Sequence, residues 1–583
     1  MSMRRPLTPK RWNILPGDIQ AEAKLQMELG AHPIMARLLV QRGLTTPEAA
    51  DAFLNPSLDR LHDPFLLPDA EAACARLKQA LAQNEKILVH GDYDGDGVTS
   101  AALWTRCLRA LGANVDVFVP HRGRDGYDMR KPFIERAKEE GVTLIVTTDC
   151  GIQRVDEVEQ ARQYGIDVII TDHHTPNSSG ELPQAVAVVN PQRADSRYPF
   201  RHLAGVGVAF KLCEALTRYL GKNVDGYRRG FLDLAAIGTI TDVMPLVDEN
   251  RIIVKYGLEA LEKTKKPGLQ ALIEVAGYAG KPLDTRAIGF GLGPRINSAS
   301  RIDETQLALD LLLTKDEAHG QHLARRLNEL NAQRKEIQDR IFEEAMAQVA
   351  LQDSQEARCL VISSDGWAGS VIGIVASKIV ERAHRPCVMI ALDTATGTGR
   401  GSARSIHAFN IFDAIHACRD LLIEYGGHAH AAGLSIECAH VEDFAAQMKR
   451  LAKSLLTEDD CVPTVEASSE IGPSEINPQL LNQIASLAPF GNDNQEPLFI
   501  SRSVPALNVE RMGKEGQHLR MTLRAEGLNG KDSVQAPWFW HGDVADALES
   551  GSSLDVCYKP QFNDWNGRRS IQFMIEDIQP PEW

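Results

Sequence analysis

Between residues 87 and 189, short runs rich in β-branched residues alternate with segments of helical periodicity, and this alternation narrows the possible folds more than any other feature. The runs predict five strands, at Ile87–Val89, Val115–Val119, Leu144–Thr147, Val168–Ile170 and Ala185–Val189. Helices are expected near residues 99–111, 131–140 and 155–164. Strands that alternate with helices pair in parallel, so we expect an α/β domain whose parallel sheet is covered on both faces.

Further regions flank this domain. Residues 1–85 have mixed, mainly helical periodicity. Residues 317–350 are polar, lack proline and carry leucine and isoleucine at helical spacing, which predicts a long helix that joins two lobes. A smaller α/β unit follows to about residue 455, and from about residue 462 strand-like runs separated by Gly and Asn turns predict a small β-barrel or sandwich.

Size, charge and cysteine usage exclude several classes of protein. At roughly 100–200 residues per domain, 583 residues make about three or four domains. The formal net charge of −15 argues against a uniformly basic surface that coats polyanions. The ten cysteines form no CxxC pair, which favours a reducing, cytoplasmic compartment. We expect no export signal and no membrane anchor, because no apolar run approaches the roughly 20 residues of a membrane span.

Acidic and histidine side chains follow three of the expected strands. They are His90, Asp92, Asp94 and Asp96 after the first strand, Asp149 after the third, and Asp172, His173 and His174 after the fourth. Any one of these carboxylates could cap the next helix. Ligands of open α/β sheets, however, bind outside the carboxyl ends of the strands, where all three loops emerge. Together the clusters predict a shared site.

The side chains of this site favour divalent metal ions. Carboxylate oxygens and imidazole nitrogens without a thiolate suit Mn²⁺ or Mg²⁺ better than a structural zinc. So many ligands exceed the needs of one ion, whereas two ions about 3.5–4 Å apart would use them in a phosphoryl displacement. A calcium EF-hand is the competing interpretation of Asp92–Gly97, but its twelfth position is Leu103 instead of glutamate, and a strand precedes it.

These residues resemble the motifs of the DHH phosphoesterase superfamily. Asp172–His174 and its upstream partners carry the resemblance, and Phe231–Val243 is similar to the fourth motif of the superfamily. Within the superfamily, the chain resembles the RecJ-type single-stranded-DNA-specific exonucleases over nearly its whole length. The resemblance implies two ions, Mn²⁺ or Mg²⁺, with Asp92 and His174 close by as catalytic or supporting groups. The implied metal ligands are His90, Asp94, Asp96, Asp149, His173 and Asp242.

The resemblance also implies a domain order and an activity. After the N-terminal segment it places a DHH domain at 86–316, a connecting helix at 317–350, a DHHA1 domain at 351–455 and an OB-fold nucleic-acid-binding domain at 462–583. The implied activity is 5′→3′ hydrolysis of single-stranded DNA in repair and recombination. Single-strand-binding protein and a helicase are the protein partners that the family implies.

Several residues outside the metal cluster are candidate contacts for DNA phosphates. Gly399–Ser405 is interpreted as a Gly-rich loop whose backbone N–H groups and arginines suit phosphate oxygens, and Gly426 and Gly427 would let a ligand approach the backbone. The resemblance implies that His428 faces the scissile phosphate. By the same resemblance the residues that hold phosphate are Arg122, Arg295, Ser402 and Arg404, and Arg124 is a further candidate in the motif of Arg122.

The C-terminal region interleaves aromatic and basic residues, as proteins that bind single strands do. Aromatic rings there could stack on bases, although about half of them are expected to form the barrel core. The candidate DNA contacts are Tyr558, Trp565, Arg568 and Arg569.

The chain departs from the family pattern at Asp128, Ser300 and Ala368, which bears on 5′-end preference and processivity more than on the chemistry. Two alternative functions stay open. A DHH phosphodiesterase that acts on short oligonucleotides or cyclic dinucleotides would not need the C-terminal domain. A non-catalytic DNA-binding scaffold would not need the complete ligand set.

Overall fold

The structure, a computed structural model, describes residues 10–126, 128–177, 179–302, 304–352, 357–528, 532–548, 550–565 and 568–580. It contains two compact units. The first consists of residues 55–339 and 489–494, and the second consists of the other described residues. No helix in the described ranges has both the length and the apolar character needed to cross a membrane.

Strands and helices are numbered in chain order within these ranges. The strands are β1 Arg11–Ile14, β2 Lys86–His90, β3 Asn114–Phe118, β4 Leu144–Thr148, β5 Asp167–Thr171, β6 Ala187–Val189, β7 Leu360–Asp365, β8 Cys387–Asp393, β9 Thr398–Arg404, β10 Leu422–His428, β11 Ala431–Glu437, β12 Thr464–Ala467, β13 Ser469–Glu470, β14 Phe499–Met512, β15 His518–Arg524, β16 Ser533–Trp538, β17 Ser553–Trp565 and β18 Arg568–Gln579. The helices are α1 Ile19–Leu29, α2 Pro33–Val40, α3 Pro47–Leu54, α4 Ala70–Ala82, α5 Gly95–Ala110, α6 Lys131–Glu139, α7 Val155–Gln163, α8 Gly205–Tyr219, α9 Val224–Thr241, α10 Asp248–Glu262, α11 Pro267–Val275, α12 Gly293–Arg301, α13 Gln306–Leu313, α14 Glu317–Ala350, α15 Ile372–Ala383, α16 Ile411–His416, α17 Val441–Leu455 and α18 Pro478–Ala485.

The first unit is built on a five-stranded sheet in the order β3-β2-β4-β5-β6, parallel throughout. Alternate residues of its strands enter two different cores. Val89 and Val146 pack with α5 and α8 on one face, whereas Leu88 and Ile145 pack with α6 and α7 on the other. The expected parallel sheet with helices on both faces is therefore confirmed.

A short segment late in the chain belongs to this first unit. Residues 489–494 pack on the loop that follows α9, where the backbone N–H of Leu246 donates to Asn492 O at 2.8 Å. The hydroxyl of Thr285 donates to Phe490 O at 2.6 Å, and Asn492 Nδ2 donates to Val243 O at 3.1 Å. The segment thus braces the residues that follow the C-terminus of α9.

The second unit contains a smaller α/β sheet in the order β10-β11-β9-β8-β7, in which β7 and β8 are parallel and the other pairs antiparallel. The interpretation of Gly399–Ser405 as a loop was wrong, because Thr398–Arg404 forms β9 and is hydrogen-bonded to β8 and β11 on its two sides. Glycine suits this strand, since a Cβ at Gly401 would lie 2.6 Å from a methyl group of Leu434. The long polar segment forms α14, as expected.

The C-terminal strands form a closed barrel. The sheet order is β13-β14-β15-β16-β18-β17, and β14 also pairs with β17. The N-terminal segment is not helical throughout, because β1 pairs in parallel with β12. Trp12 Nε1 on β1 donates to the carboxylate of Asp577 on β18 at 2.7 Å, so both chain regions stabilise the same barrel.

Candidate metal centre and substrate contacts

The expected metal ligands gather at the C-terminal edge of the parallel sheet. One group lies in the turn from β2 into α5, another directly follows β4 and a third follows β5, and these three strands are neighbours. A further carboxylate comes from the C-terminus of α9. The side chains, in this order, are Asp92, Asp94, Asp96, Asp149, His173, His174 and Asp242.

Three overlapping sets of ligand atoms occur here, each with all its atoms within 4.8 Å of one another. The sets are Asp92, Asp94 and Asp149; Asp96, His173 and Asp242; and Asp149, His173 and His174. His173 Nε2 lies 3.1 Å from Asp149 Oδ1 and 3.6 Å from Asp242 Oδ2. Because Asp149 and His173 each belong to two sets, the cluster can serve two ions that share a ligand.

Two helix N-termini hold the carboxylates of the turn between β2 and α5. Asp94 caps α5, since its Oδ1 accepts hydrogen bonds from the backbone N–H groups of Asp96 and Gly97, both at 3.0 Å. Asp96 in turn accepts from the first N–H groups of α8, those of Gly205 at 2.7 Å and Val206 at 2.8 Å. The positive ends of both helix dipoles therefore face the acidic cluster and offset part of its charge.

Burial and mutual repulsion raise the pKa values of the clustered carboxyl groups. Burial, followed by the charge of Asp94, raises the pKa of Asp96 to about 7. Burial, followed by the charges of Asp96 and Asp94, raises the pKa of Asp242 to about 9. The pKa of Asp149 is raised for the same reasons. Carboxylates this close together can all be ionised only if a cation lies among them.

Asp172 positions the two histidines and separates their protonation states. Its Oδ1 lies 2.7 Å from His174 Nδ1 and accepts the backbone N–H of His173 at 2.7 Å. Burial alone would lower the pKa of His174, but the charge of Asp172 and the hydrogen bond to it raise that pKa to about 10. Burial lowers the pKa of His173 to about 4. Without a metal ion, His173 is therefore neutral and offers a lone pair, whereas His174 holds a proton that it would have to lose before it could bind an ion together with Asp149 and His173.

The donor set fits a hard divalent ion. Among the described residues, Asp92 Oδ1, Asp149 Oδ1 and His173 Nε2 are buried and have no hydrogen-bond partner, although the last two atoms lie 3.1 Å apart. Buried lone pairs without partners are costly in a native protein unless a ligand uses them. Carboxylate oxygens with a neutral imidazole are ligands that Mn²⁺ accepts readily, and Mg²⁺ prefers the oxygens.

The expected ligand His90 does not join these sets. Its buried ring packs edge-on against Phe133, with ring centroids 4.4 Å apart, and its Nδ1 lies 3.6 Å from Cys150 Sγ. Burial lowers the pKa of His90 to about 3, so the imidazole is neutral. A role in metal binding stays a prediction for this residue.

Three of the four arginines expected to contact phosphate belong to the first unit and have different surroundings. The guanidinium of Arg122 stacks on the Tyr93 ring at 4.1 Å, beside the β2–α5 turn, and its buried Nε has no hydrogen-bond partner in the described ranges. Arg124 is exposed. Arg295 donates to Asn328 Oδ1 at 3.0 Å and to Gly291 O at 2.7 Å, so it already has protein partners. Arg122 is the best placed of the three for a ligand at the cluster.

A second candidate phosphate site lies in the second unit, where β9 faces the N-terminus of α15. Arg404 Nη1 donates to Ser402 Oγ at 3.2 Å. A Cβ at Gly373, the second residue of α15, would lie 2.8 Å from Ser402 Oγ and 3.1 Å from Arg404 Nη2. A hydroxyl, a guanidinium and a helix N-terminus together suit a phosphate group. The backbone N–H groups of β9, which were expected to bind phosphate, form hydrogen bonds within the sheet. Nothing in the sequence indicated that Gly373 lies beside Ser402 and Arg404.

The expected Gly-Gly-His site ends the edge strand β10. His428 and Gly426 are exposed. Gly427 has φ of 145°, and a Cβ there would lie 2.5 Å from Ala431 O, so only glycine fits where β10 turns into β11.

The barrel corrects one of the expected DNA contacts. Tyr558 is fully buried, stacks on Phe573 with centroids 4.0 Å apart and shares a hydrogen bond with Ser501, so its ring cannot stack on a base. Arg568 and Arg569 are exposed, and Arg569 forms an ion pair with Asp564 at 2.8 Å. The side chain of Trp565, at the end of β17, lies outside the part of the chain that the structure describes.

The three departures from the family pattern have local explanations of unequal strength. Asp128 has a left-handed φ of 67°, and its carboxylate lies 2.8 Å from Arg154 Nε, an ion pair that offsets part of the strain of this backbone conformation. Ser300 is buried in α12 and donates to Asn297 O at 3.2 Å. Ala368 accepts the backbone N–H of Val371 at 2.9 Å, but its methyl group offers no polar contact.

Comparison with protein families identifies the class of this fold and site. Three family models match the chain: the DHH family N-terminal domain at residues 86–239, the DHHA1 domain at 356–454 and the RecJ OB domain at 468–577. The parallel sheet, its carboxylate and histidine cluster and these matches together define a DHH-type protein with a C-terminal OB domain.

Individual relatives narrow the class further. The single-stranded-DNA-specific exonuclease RecJ of Bacillus subtilis (strain 168) is 38% identical over 98% of this chain and 71% of its own length. The protein of the same name from Escherichia coli (strain K12) is 34% identical over 97% of this chain and 98% of its own length. The crystal structure of RecJ from Thermus thermophilus in complex with Mn²⁺ matches with a TM-score of 0.83 and 33% identity, over 98% of this chain and 80% of that one. The chain belongs to the RecJ family.

Proposed function

We propose that this chain hydrolyses single-stranded DNA from its 5′ end with the help of two divalent ions, Mn²⁺ or Mg²⁺. One observation carries the proposal: seven carboxylate and histidine side chains converge at one sheet edge, with buried lone pairs that have no partner. The RecJ relatives are named single-stranded-DNA-specific exonucleases, and this chain is a metal-dependent exonuclease of their family.

Divalent ions at this cluster would polarise the phosphodiester and lower the pKa of a water molecule. Asp96, His173 and Asp242 would hold one ion, and Asp92, Asp94 and Asp149 would hold the other. His90 is a further candidate ligand. His174 carries a proton because it pairs with Asp172, so it can donate a hydrogen bond to a phosphate oxygen. The guanidinium of Arg122, fixed on Tyr93, supplies positive charge beside them.

Recognition of the strand is assigned to residues outside the cluster. Ser402 and Arg404, with Gly373 at the start of α15, would hold the terminal 5′-phosphate. Because such a pocket accepts only a strand end, it would restrict cleavage to the end of the strand, as in an exonuclease. Arg295, Arg124 and the exposed Gly426–His428 segment remain proposed contacts. On the barrel, the proposed contacts with the strand are Trp565, Arg568 and Arg569. Arg569 can exchange its exposed partner Asp564 for a phosphate at little cost.

The biological setting follows from the family. We propose a role in DNA repair and recombination, with single-strand-binding protein and a helicase as partners. All ten cysteines are free thiols, which supports a cytoplasmic location. Within the described residues, no observation favours a dinucleotide phosphodiesterase or a non-catalytic scaffold, because both the OB domain and the carboxylate and histidine cluster are present.

Digestion of end-labelled single strands tests the proposal. With Mn²⁺ present, a 5′ label should be released as mononucleotide before the rest of the strand shortens, and a 3′ label should stay on shrinking products. Asp149→Ala should abolish both the release of the 5′ label and the shortening of the 3′-labelled strand. The matched control Asp225→Ala removes an exposed carboxylate at the start of α9 and should leave the rate unchanged. Early release of the 3′ label, or normal cleavage by Asp149→Ala, would overturn the proposal.

A further inference from the structure

A second concave site lies in the first unit, away from the metal cluster. This cavity, of about 880 Å³, is bounded by the C-terminal end of α5, the N-terminal half of α9, the loop between α10 and α11, and the end of α13. Arg106 and Arg109 lie about three turns beyond Asp96 on α5, or roughly 15–20 Å at 1.5 Å per residue. Phe231 lies about as far from Asp242 along α9. Two helices therefore independently separate the cavity from the metal ligands.

Basic side chains outnumber acidic ones in the lining of this cavity. The acidic residues of the lining are Asp233 and Glu259. The basic residues are Arg106, Arg109, Arg229, Lys263, Lys265, Lys266 and Lys315. In a chain with a net charge of −15, this is a local concentration of positive charge.

Most of these cations are not neutralised by the protein. Lys266 Nζ donates to both oxygens of Asp233 at 2.8 and 2.7 Å, and Arg106 donates to the carbonyl oxygens of Leu312 and Thr314. Within the described ranges, the side chains of the other five basic residues make no hydrogen bond or ion pair. Glu259 is likewise exposed and unpaired there, so a surplus of positive charge faces the cavity.

Apolar and aromatic groups form part of the same wall. Phe231, Tyr256, Pro267 and Leu313 line it. The hydroxyl of Tyr256 donates to Pro56 O at 3.0 Å, which fixes the ring. A cavity with aromatic and apolar walls and a cationic rim suits a ligand that carries both a flat ring and several negative charges.

We propose that this cavity binds a nucleoside polyphosphate. Its volume falls in the range of roughly 300–1,000 Å³ that is typical of small-molecule sites. The five unpaired cations are exposed around one cavity, and their density suits several negative charges in a small volume, which a phosphate chain supplies and the spaced carboxylates of a peptide do not. The base lies against the Phe231 side of the wall, and the phosphates contact the lysines of the α10–α11 loop.

Calorimetric titration of the full-length protein with ATP tests this site. Excess EDTA is present so that metal ions cannot link the triphosphate to the acidic cluster. ATP should bind, and Lys263→Gln/Lys265→Gln should weaken its binding about tenfold or more, a loss of about 1.4 kcal/mol or more, because charge-assisted hydrogen bonds to the phosphates are removed. Lys281→Gln/Lys335→Gln removes the same charge from exposed lysines elsewhere in the unit and should bind ATP as the wild type does.

Three results would overturn the inference. The first is the absence of ATP binding, and the second is an equal loss in both double variants. The third is binding of inorganic tripolyphosphate, or of an oligothymidylate that competes with ATP, as tightly as ATP itself, because the aromatic wall would then have no part. None of these results bears on exonuclease activity, which the digestion experiment measures with Mn²⁺.

Discussion

At Asp149 a strained backbone and a close neighbour fix the position of a shared ligand. Its φ of 62° lies in the left-handed region, which is uncommon for a residue with a side chain and recurs at functional sites. Gly205, at the start of α8, packs directly against it, since a Cβ there would lie 2.6 Å from Asp149 Cβ. The space around this one residue therefore decides whether the two sets of ligands can share it.

Replacement of Gly205 tests this packing. Gly205→Ala should displace the carboxylate of Asp149 and lower the exonuclease rate at least about tenfold, as expected when a metal ligand loses its support. Gly230→Ala is the matched control, because it also lies in a helix and a Cβ there meets nothing within 4 Å. Initial rates on a labelled single strand with Mn²⁺ measure both, and equal rates for the two variants would contradict the packing argument.

The raised carboxyl pKa values predict how pH and metal act on stability. In the native metal-free protein the pKa values of Asp96 and Asp242 are about 7 and about 9, above the value of about 4 in the unfolded chain. The native state then binds more protons between pH 4 and 9, so this cluster's contribution to stability falls as pH rises through that window. In EDTA, the melting temperature should therefore be lower at pH 8 than at pH 5. Addition of Mn²⁺ should raise the melting temperature more at pH 8 than at pH 5.

The variant Asp149→Asn separates this effect from other titrations. Removal of this buried carboxyl group, whose pKa is raised, should raise the melting temperature in EDTA at pH 8 and reduce the rise caused by Mn²⁺. Asp225→Asn, an exposed carboxylate, should behave as the wild type. If Asp149→Asn melted lower than the wild type in EDTA at pH 8, burial and repulsion among these carboxyl groups would not control the stability at that pH.

Residue types and their place after strands were enough to predict that most of the clustered side chains meet at one sheet edge, but not the roles of individual side chains. That Asp172 positions His174 depends on hydrogen bonds that only the folded turn defines. Tyr558 was misjudged because a bulge at Cys557 and Tyr558 breaks the alternation of the strand, so both of these successive residues are buried.

At the scale of elements, strands with apolar runs were predictable and glycine-rich strands were not. β2, β4 and β5 are runs of buried apolar residues, as expected for parallel strands covered on both faces. β9 reads Thr-Gly-Arg-Gly-Ser-Ala-Arg, a composition typical of a loop, and only cross-strand contacts with Ile390 and Leu434 make its glycines suitable. Its identity as a strand depends on distant partners.

A buried ion pair joins two helices of the first unit. Lys211 on α8 and Glu249 on α10 are fully buried, with Nζ 2.9 Å from Oε1, and Lys211 also donates to His62 O at 2.5 Å. The hydroxyl of Tyr198 donates to the other oxygen of Glu249 at 2.5 Å. Because every partner is satisfied, removal of one leaves an unpaired buried charge.

Lys211→Met should therefore destabilise the protein by about 3–5 kcal/mol. Lys222→Met, which changes an exposed lysine of the same unit, should alter stability by less than about 0.5 kcal/mol. Urea unfolding followed by tryptophan fluorescence, which includes the buried Trp104 of this unit, measures the difference. A cost below about 1 kcal/mol for Lys211→Met would show that the pair does not hold α8 and α10 together.

At the scale of the whole molecule, chain segments far apart in sequence complete each unit. β1 pairs with β12 in the second unit, and residues 489–494 join the first, where they brace the loop that follows the candidate metal ligand Asp242. Composition and periodicity carry no signal for such pairings, because both report on local structure. The order of domains could be predicted from the sequence, whereas these contacts between distant chain segments could not.

The bracing segment should influence metal binding. Asn492→Ala removes the hydrogen bond to Val243 O, directly after Asp242, and should weaken Mn²⁺ binding by up to about tenfold, in line with the loss of other supporting contacts. Asn508→Ala changes an exposed asparagine on β14 and should leave the affinity unchanged. Calorimetric titration with Mn²⁺ compares the two, and identical affinities would remove the segment from any role at the cluster.

Anomalous diffraction from crystals soaked in Mn²⁺ with a short 5′-phosphorylated oligonucleotide tests the metal centre most directly. Two manganese peaks are expected about 3.5–4 Å apart at the C-terminal edge of β2, β4 and β5, within reach of Asp149, His173 and Asp242. A single peak, or peaks that lie away from these side chains, would contradict this expectation.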